Sequence, residues 1–363
     1  MGGHEQNYVE EAFRTNWIAP LGPNVDLFEQ AIQNYVKQDV HVAALSTGTA
    51  AIHLGLELLG VSKGDEVLCQ SFTFSASANP IMYLGATPVF VDSEISTWNM
   101  CPVLLREAIV DRISKGKKPK AIVAVHLYGM PYQVMEIRAV ADEFEIPIVE
   151  DSAEALGSSY KGNNCSSFGD IGILSFNGNK IITTSGGGAL VTKNGDIKQK
   201  AVFLATQARD NAPHYQHSHV GYNYRMSNVL AGIGRGQMEV LDDRVAARRS
   251  NFDFYKSSLD NFEEVEFLNE PDGFFSNRWL SCILTPTYEI RETIRLALLE
   301  EDIESRPLWK PMHCQPIFEK FPNYVNGISE ELFQRGLCLP SGSNLNSTDL
   351  ERVVTIIIKE LTR

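Results

Sequence analysis

Between residues 24 and 37, Val25, Phe28, Ile32 and Tyr35 recur at the spacing of one helical face, which predicts an amphipathic helix there and a second at 49–59. Short apolar runs then follow in series. Val67-Leu68-Cys69, Pro88-Val89-Phe90-Val91, Ala121-Ile122-Val123-Ala124-Val125, Pro147-Ile148-Val149 and Ile171-Gly172-Ile173-Leu174-Ser175 read as strands, most of them separated by helix-like segments such as 76–84 and 133–144. Apolar strands alternating with helices predict an α/β fold with a mostly parallel sheet covered on both faces. Ligands of such sheets sit at the carboxyl ends of the strands.

After about residue 240 the pattern changes. A charged helical stretch at 242–256 leads into Phe262-Glu263-Glu264-Val265-Glu266-Phe267-Leu268, then to predicted helices near 293–301 and at 347–361. The expected organisation is a large domain over residues 1–240 and a smaller C-terminal α/β domain over 241–363. No internal repeat or low-complexity tract interrupts it.

Composition narrows the class. With 363 residues, 44% hydrophobic and 21% charged, the chain has the make-up of a globular protein large enough for two unequal cores. No apolar run reaches the roughly twenty residues of a bilayer crossing, and Met1-Gly2-Gly3-His4-Glu5-Gln6 lacks a basic segment followed by an apolar one. A cytoplasmic protein without membrane insertion is therefore expected. The six cysteines, Cys69, Cys101, Cys165, Cys282, Cys314 and Cys338, have no paired spacing and suit reduced thiols. A net charge of −13 argues against a nucleic-acid partner, and leaves any phosphorylated ligand to be held by local groups.

Four groups of residues carry chemistry. Ser46-Thr47-Gly48-Thr49-Ala50 precedes an apolar helix and places amides and hydroxyls at its positive end, either as an ordinary N-cap or as a phosphate cradle. In Glu150-Asp151-Ser152-Ala153-Glu154, Asp151 follows an apolar strand. Some thirty residues later Lys180 lies in a turn that runs from Ser175 through Thr183-Thr184-Ser185-Gly186-Gly187-Gly188. A lysine in a small, polar turn with an acid at a neighbouring strand end is what a pyridoxal phosphate enzyme requires: an amine to form a Schiff base and a carboxylate to keep the pyridine nitrogen protonated. The fourth group is Phe72-Thr73-Phe74-Ser75, where Phe74 either packs in the core or covers a planar ring.

Together these segments resemble the DegT/DnrJ/EryC1/StrS family of sugar aminotransferases over nearly the whole chain. The likeness is carried in order by Asn16-Trp17-Ile18-Ala19-Pro20-Leu21-Gly22-Pro23-Asn24-Val25, Ser46-Thr47-Gly48-Thr49-Ala50, Gly64-Asp65-Glu66-Val67, Gly85-Ala86-Thr87-Pro88, His126-Leu127-Tyr128-Gly129 and Gly221-Tyr222-Asn223-Tyr224-Arg225-Met226. The resemblance implies a fold type I pyridoxal phosphate-dependent transferase, active as a homodimer with sites at the subunit boundary. It implies Lys180 as the Schiff-base lysine and catalytic proton carrier, and Asp151 as partner of the pyridine nitrogen. Thr49, Ala50 and Ser175 become phosphate contacts, Phe74 the stacking aromatic, and Asn223 a phosphate contact from the neighbouring subunit. Glu154 is also expected at the cofactor. It departs from the commonest pattern, which has histidine or glutamine three residues after the aspartate, but is similar to a bacillosamine-type branch.

The same branch is suggested by Glu304-Ser305-Arg306-Pro307-Leu308-Trp309-Lys310-Pro311-Met312-His313 and by Asn177-Gly178-Asn179-Lys180. It implies transfer of the amino group of L-glutamate to C4 of a UDP-linked 2-acetamido-2,6-dideoxy-4-ketohexose, with a GDP- or dTDP-linked 3- or 4-keto sugar as the alternative. Because both substrates are anionic, Arg225, Lys310, Arg306 and His313 are candidate contacts. A dehydratase of this fold would carry histidine in place of Lys180. A non-catalytic binding protein remains a third reading, and a nicotinamide enzyme would need a G-x-G-x-x-G that is absent. His214, His217 and His219 are spaced poorly for one helix face and lack accompanying ligands, so no metal is expected.

Overall fold

A computed structural model describes residues 1–362. Its main sheet has eight strands, in the spatial order His41–Leu45, Gly188–Thr192, Ile171–Ser175, Ile148–Asp151, Ala121–Val125, Glu66–Gln70, Thr87–Val91 and Asn323–Tyr324. Pairing is parallel from Ile171–Ser175 to Asn323–Tyr324, whereas Gly188–Thr192 runs antiparallel to both of its neighbours. Helices cover both faces, so all but the edge strand Asn323–Tyr324 are almost wholly buried and mostly apolar.

The expected helices form at Pro23–Val36, Gly48–Leu58 and Val134–Glu143. The segment 76–84 is less regular than expected: a 3₁₀ turn, Ser75–Ser77, runs into a five-residue helix, Asn79–Tyr83. The strands His41–Leu45 and Gly188–Thr192 and the helix Asn228–Met238 are not among the elements predicted from the sequence. That helix contains Gly232, Gly234 and Gly236, which disfavour helix in isolation. Tertiary packing explains them: a Cβ at these positions would lie 2.7–2.8 Å from Asn24, Phe28 and Glu5, on the helices that pack against this one.

The C-terminal part builds its own antiparallel sheet from Glu266–Phe267, Ser281–Leu284, Gly336–Leu339 and Arg306–Pro307. Ile283, Leu337 and Leu339 pack there against Tyr255, Ile294, Leu298, Val353 and Ile357 from the helices Leu241–Ser258, Tyr288–Glu300 and Ser347–Leu361. Within residues 262–268, Glu266–Phe267 pairs with Ser281–Leu284. The chain twice returns to the large body. Phe274–Phe275 pairs with Ser159–Tyr160, and Asn323–Tyr324 extends the main sheet beside Thr87–Val91. These returns bring residues 304–317 over the carboxyl ends of the parallel strands. All six cysteines are free thiols, and among the described residues no helix is long and apolar enough to cross a membrane.

Candidate active site

A cavity of about 1120 Å³ opens over the carboxyl ends of the strands. Asp151 ends one strand and Ser175 the next, so the topology alone brings both to the floor. After Ser175 the chain closes a compact loop through Phe176 N–H to Gly187 O and Thr184 N–H to Phe176 O, each 2.9 Å, and Lys180 lies within it.

Lys180 Nζ is 3.4 Å from Glu154 Oε1 and 4.3 Å from the centre of the Trp279 ring, with its side chain only 10% exposed. Glu154 is buried, and its Oε2 accepts the Tyr128 N–H at 2.7 Å. Tyr128 adopts the left-handed conformation, with φ of 53°, in the tight turn that aims this amide. Next to it Gly129 has φ of 87°, and a Cβ there would meet Asn277 Oδ1 at 1.9 Å, so only glycine fits. Burial pushes the Glu154 carboxyl up to about 7; Lys180 and the Tyr128 amide oppose the shift, while Asp151 adds to it.

Asp151 is also buried. Its Oδ2 accepts the Ser77 hydroxyl at 2.6 Å, Ser77 is bonded in turn to Thr73 at 2.8 Å, and Oδ1 accepts the Ala153 N–H at 3.1 Å. Among the described residues no cationic side chain pairs with it. A buried carboxylate held only by neutral donors at a cavity floor is suited to a cationic ligand group.

At one side of the floor, Thr47, Gly48 and Thr49 at the start of the helix Gly48–Leu58 face Ser175, Gly186 and Gly187. A Cβ on Gly48 would press on the Ser175 Cβ at 3.0 Å, so the helix end and the strand end meet backbone to side chain. The hydroxyls of Thr49 and Ser175 and the helix dipole suit a phosphate. Ala50 differs from expectation. It does not line the cavity, and its N–H is taken by Thr47 Oγ1 at 2.9 Å, because Thr47 is the helix N-cap.

Phe74 lines the cavity, 55% exposed, with its ring centre 5.4 Å from that of Trp309. Lys310 and Arg306 line the mouth, the latter paired with Glu304 at the surface. Three expected residues are elsewhere. Arg225 bonds Glu29 and the Ala44 carbonyl in the interior, so its charge is already matched. His313 lies against Ser71, with Nδ1 to Oγ 2.6 Å, and Glu330, and is not part of the cavity wall. Asn223 is exposed, outside the cavity of its own chain.

Sequence reasoning overlooked Trp279, Trp309, Tyr128 as a donor, and Ser77. Tyr128 and Trp309 stand inside segments singled out for other reasons. For Trp279 the one available signal is an indole next to Asn277-Arg278, far in sequence from Lys180.

The fold and the floor are those of an enzyme suited to a vitamin B6 cofactor, and the chain belongs to the DegT/DnrJ/EryC1/StrS aminotransferase family, whose model matches residues 1–358. Members are pyridoxal phosphate enzymes, and pyridoxal phosphate is the cofactor here; Asp151, which has no cationic partner among the described residues, the Lys180 amine, and the helix start at Thr49 beside the strand end at Ser175 fit its ring nitrogen, aldehyde and phosphate. EpsN of Bacillus subtilis is 50% identical over 362 residues, covering 99% of this chain and 93% of its own. GDP-perosamine synthase of Escherichia coli O157:H7 is 39% identical over 357 residues, covering 98% and 94%. The crystal structure of a DegT DnrJ EryC1 StrS aminotransferase from Brucella abortus superposes with a TM-score of 0.93 at 27% identity, covering 99% and 96%.

Proposed function

We propose that this enzyme moves the amino group of L-glutamate, which leaves as 2-oxoglutarate, to C4 of a nucleotide-linked 4-keto-6-deoxy sugar, namely UDP-2-acetamido-2,6-dideoxy-hexos-4-ulose, giving the UDP-linked 4-amino sugar. The observation that carries this reading is the continuity of one cavity from Lys180 and Asp151 at its floor to Arg306 and Lys310 at its mouth. Its volume of about 1120 Å³ exceeds the roughly 300–1,000 Å³ of common small-molecule pockets, as a site for a cofactor plus a nucleotide sugar needs.

Pyridoxal phosphate supplies an aldehyde that takes up the amino group and a ring that accepts an electron pair from the carbon losing its proton. The side chains do the rest. Lys180 takes the proton from the glutamate α-carbon and later delivers one to the sugar C4. Glu154, 3.4 Å away, holds the amine in the cavity between these events. Asp151, anchored by Ser77, keeps a negative charge where the ring nitrogen must stay protonated. Arg306 and Lys310 bind the anionic groups of the sugar nucleotide and exclude none of the floor. We further propose a cytoplasmic homodimer in which Asn223 of one protomer serves the phosphate end of the other; its exposure outside its own cavity supports this reading.

The UDP assignment rests on the resemblance of 304–313 and 177–180 to the bacillosamine-type branch. The relationship to an enzyme named GDP-perosamine synthase favours a second reading, a GDP-linked substrate at the same mouth. Incubation with glutamate and a panel of UDP-, GDP- and dTDP-linked 3- and 4-keto sugars separates them. Turnover of the UDP-linked 4-keto sugar is expected; turnover of the GDP-linked sugar alone would establish the second reading, and of a 3-keto sugar alone would remove both.

A further inference from the structure

Trp279 belongs to the segment that enters the C-terminal sheet, yet its indole ring centre lies 4.3 Å from Lys180 Nζ. The ring is fixed from several sides. Its Nε1–H donates to the Asn179 carbonyl at 2.8 Å, so it is registered on the turn that carries the lysine. Its backbone N–H donates to Asn277 Oδ1 at 2.9 Å, and Asn277 Nδ2 donates to the carbonyls of Glu154 and Leu156, both at 2.8 Å. The indole also lies nearly parallel to Tyr128, whose N–H holds Glu154. The contacts therefore close on themselves, from Trp279 to Lys180, Glu154, Tyr128 and back to Trp279.

A core tryptophan needs none of this. An ammonium group between a carboxylate and the face of an indole, nearly excluded from water, is attracted from both sides, and each partner restricts where the other lets it move. We infer that Trp279 is a positioning residue for Lys180: with Glu154 it forms a two-sided seat that keeps the amine aimed at the reacting carbon whenever it is not bonded to the cofactor. Through this seat the C-terminal part of the chain takes part in the chemistry of the large sheet. The inference rests on Lys180 being the lysine that carries proton transfer.

The test compares Trp279→Leu, which removes the aromatic face, with Trp279→Phe, which restores a face without the N–H, in the cofactor-loaded protein. In Trp279→Leu, kcat falls tenfold or more with KM for glutamate within twofold. The isotope effect with 2-deuterated glutamate rises, and the visible circular dichroism per bound cofactor diminishes. Trp279→Phe recovers most of each. A folded Trp279→Leu with kcat within twofold and an unchanged isotope effect overturns the inference. Should Trp279→Leu not fold, replacing the tryptophans with fluorinated tryptophan weakens the ring face without changing its shape. The expected fall in kcat is then absent in the Trp279→Phe background, and an equal fall in both backgrounds overturns the inference. Lys180→Ala separates the two levels: if it retains the visible absorbance and transamination, the assignment of Lys180 fails whatever Trp279 does.

Discussion

The floor and the mouth of the cavity are built in opposite ways. At the floor, Asp151 and Glu154 are buried, and each is held by defined donors: Ser77 and Ala153 for one, Tyr128 and Lys180 for the other. At the mouth, Arg306 sits at the surface beside Glu304, and Phe74 and Ile317 are more than half exposed. A buried charge with fixed partners has few tolerable replacements, because removing one partner strands the other. An exposed charge is screened and easily exchanged. The floor thus tolerates little change, whereas the mouth can change without stranding a buried partner.

The sharpest break of this contrast is Lys180→Ala. Losing the proposed general acid–base group at the floor is expected to lower kcat by about 10³-fold or more and to abolish the visible absorbance of the purified protein, measured by single-turnover spectroscopy. Retained activity would mean that the floor does not perform the chemistry.

Next in size is the pH response of the floor. Glu154 holds its proton to about 7 in the folded protein against 4.5 ordinarily. Between those values the native state binds the extra proton, so this group's contribution to stability is full below about pH 4.5 and is lost as pH rises through about 7, a change of about 3 kcal/mol. Urea unfolding of protein freed of cofactor with hydroxylamine should show this decline. In Glu154→Gln the decline should be largely absent.

The mouth responds least per residue. Arg306→Ala or Lys310→Ala is expected to raise KM for the proposed sugar-nucleotide substrate about tenfold, some 1.4 kcal/mol, while the proposed glutamate half-reaction keeps its rate. Equal damage to both half-reactions would erase the distinction between mouth and floor.

The parts of this site that were legible in the sequence are those whose position follows from local pattern. Asp151 and Ser175 end apolar runs, which in a parallel sheet places them at the ligand edge, and Lys180 lies in a turn between two strands. Thr47 shows the limit of the same logic. A hydroxyl before an apolar helix is visible, but which amide it takes is decided by geometry, and it takes Ala50. Arg225 looked like a free cation because Glu29, 196 residues away in sequence, gives no local sign of pairing with it. The helix Asn228–Met238 was hidden for a related reason, since its glycines serve neighbouring helices and count against helix in any local measure.

Sequence by itself determined the alternation of strands and helices and the acid, lysine and hydroxyl at strand ends and turns, because these depend on periodicity and on chemistry within a few residues; the family was legible as a resemblance carried by several ordered segments. Tertiary structure alone decided that Trp279 meets Lys180, that Tyr128 holds Glu154, that Arg225 and His313 are engaged elsewhere, and that residues 304–317 roof the cavity. Those contacts join distant segments, and their energies depend on burial and direction, which exist only once the chain has folded.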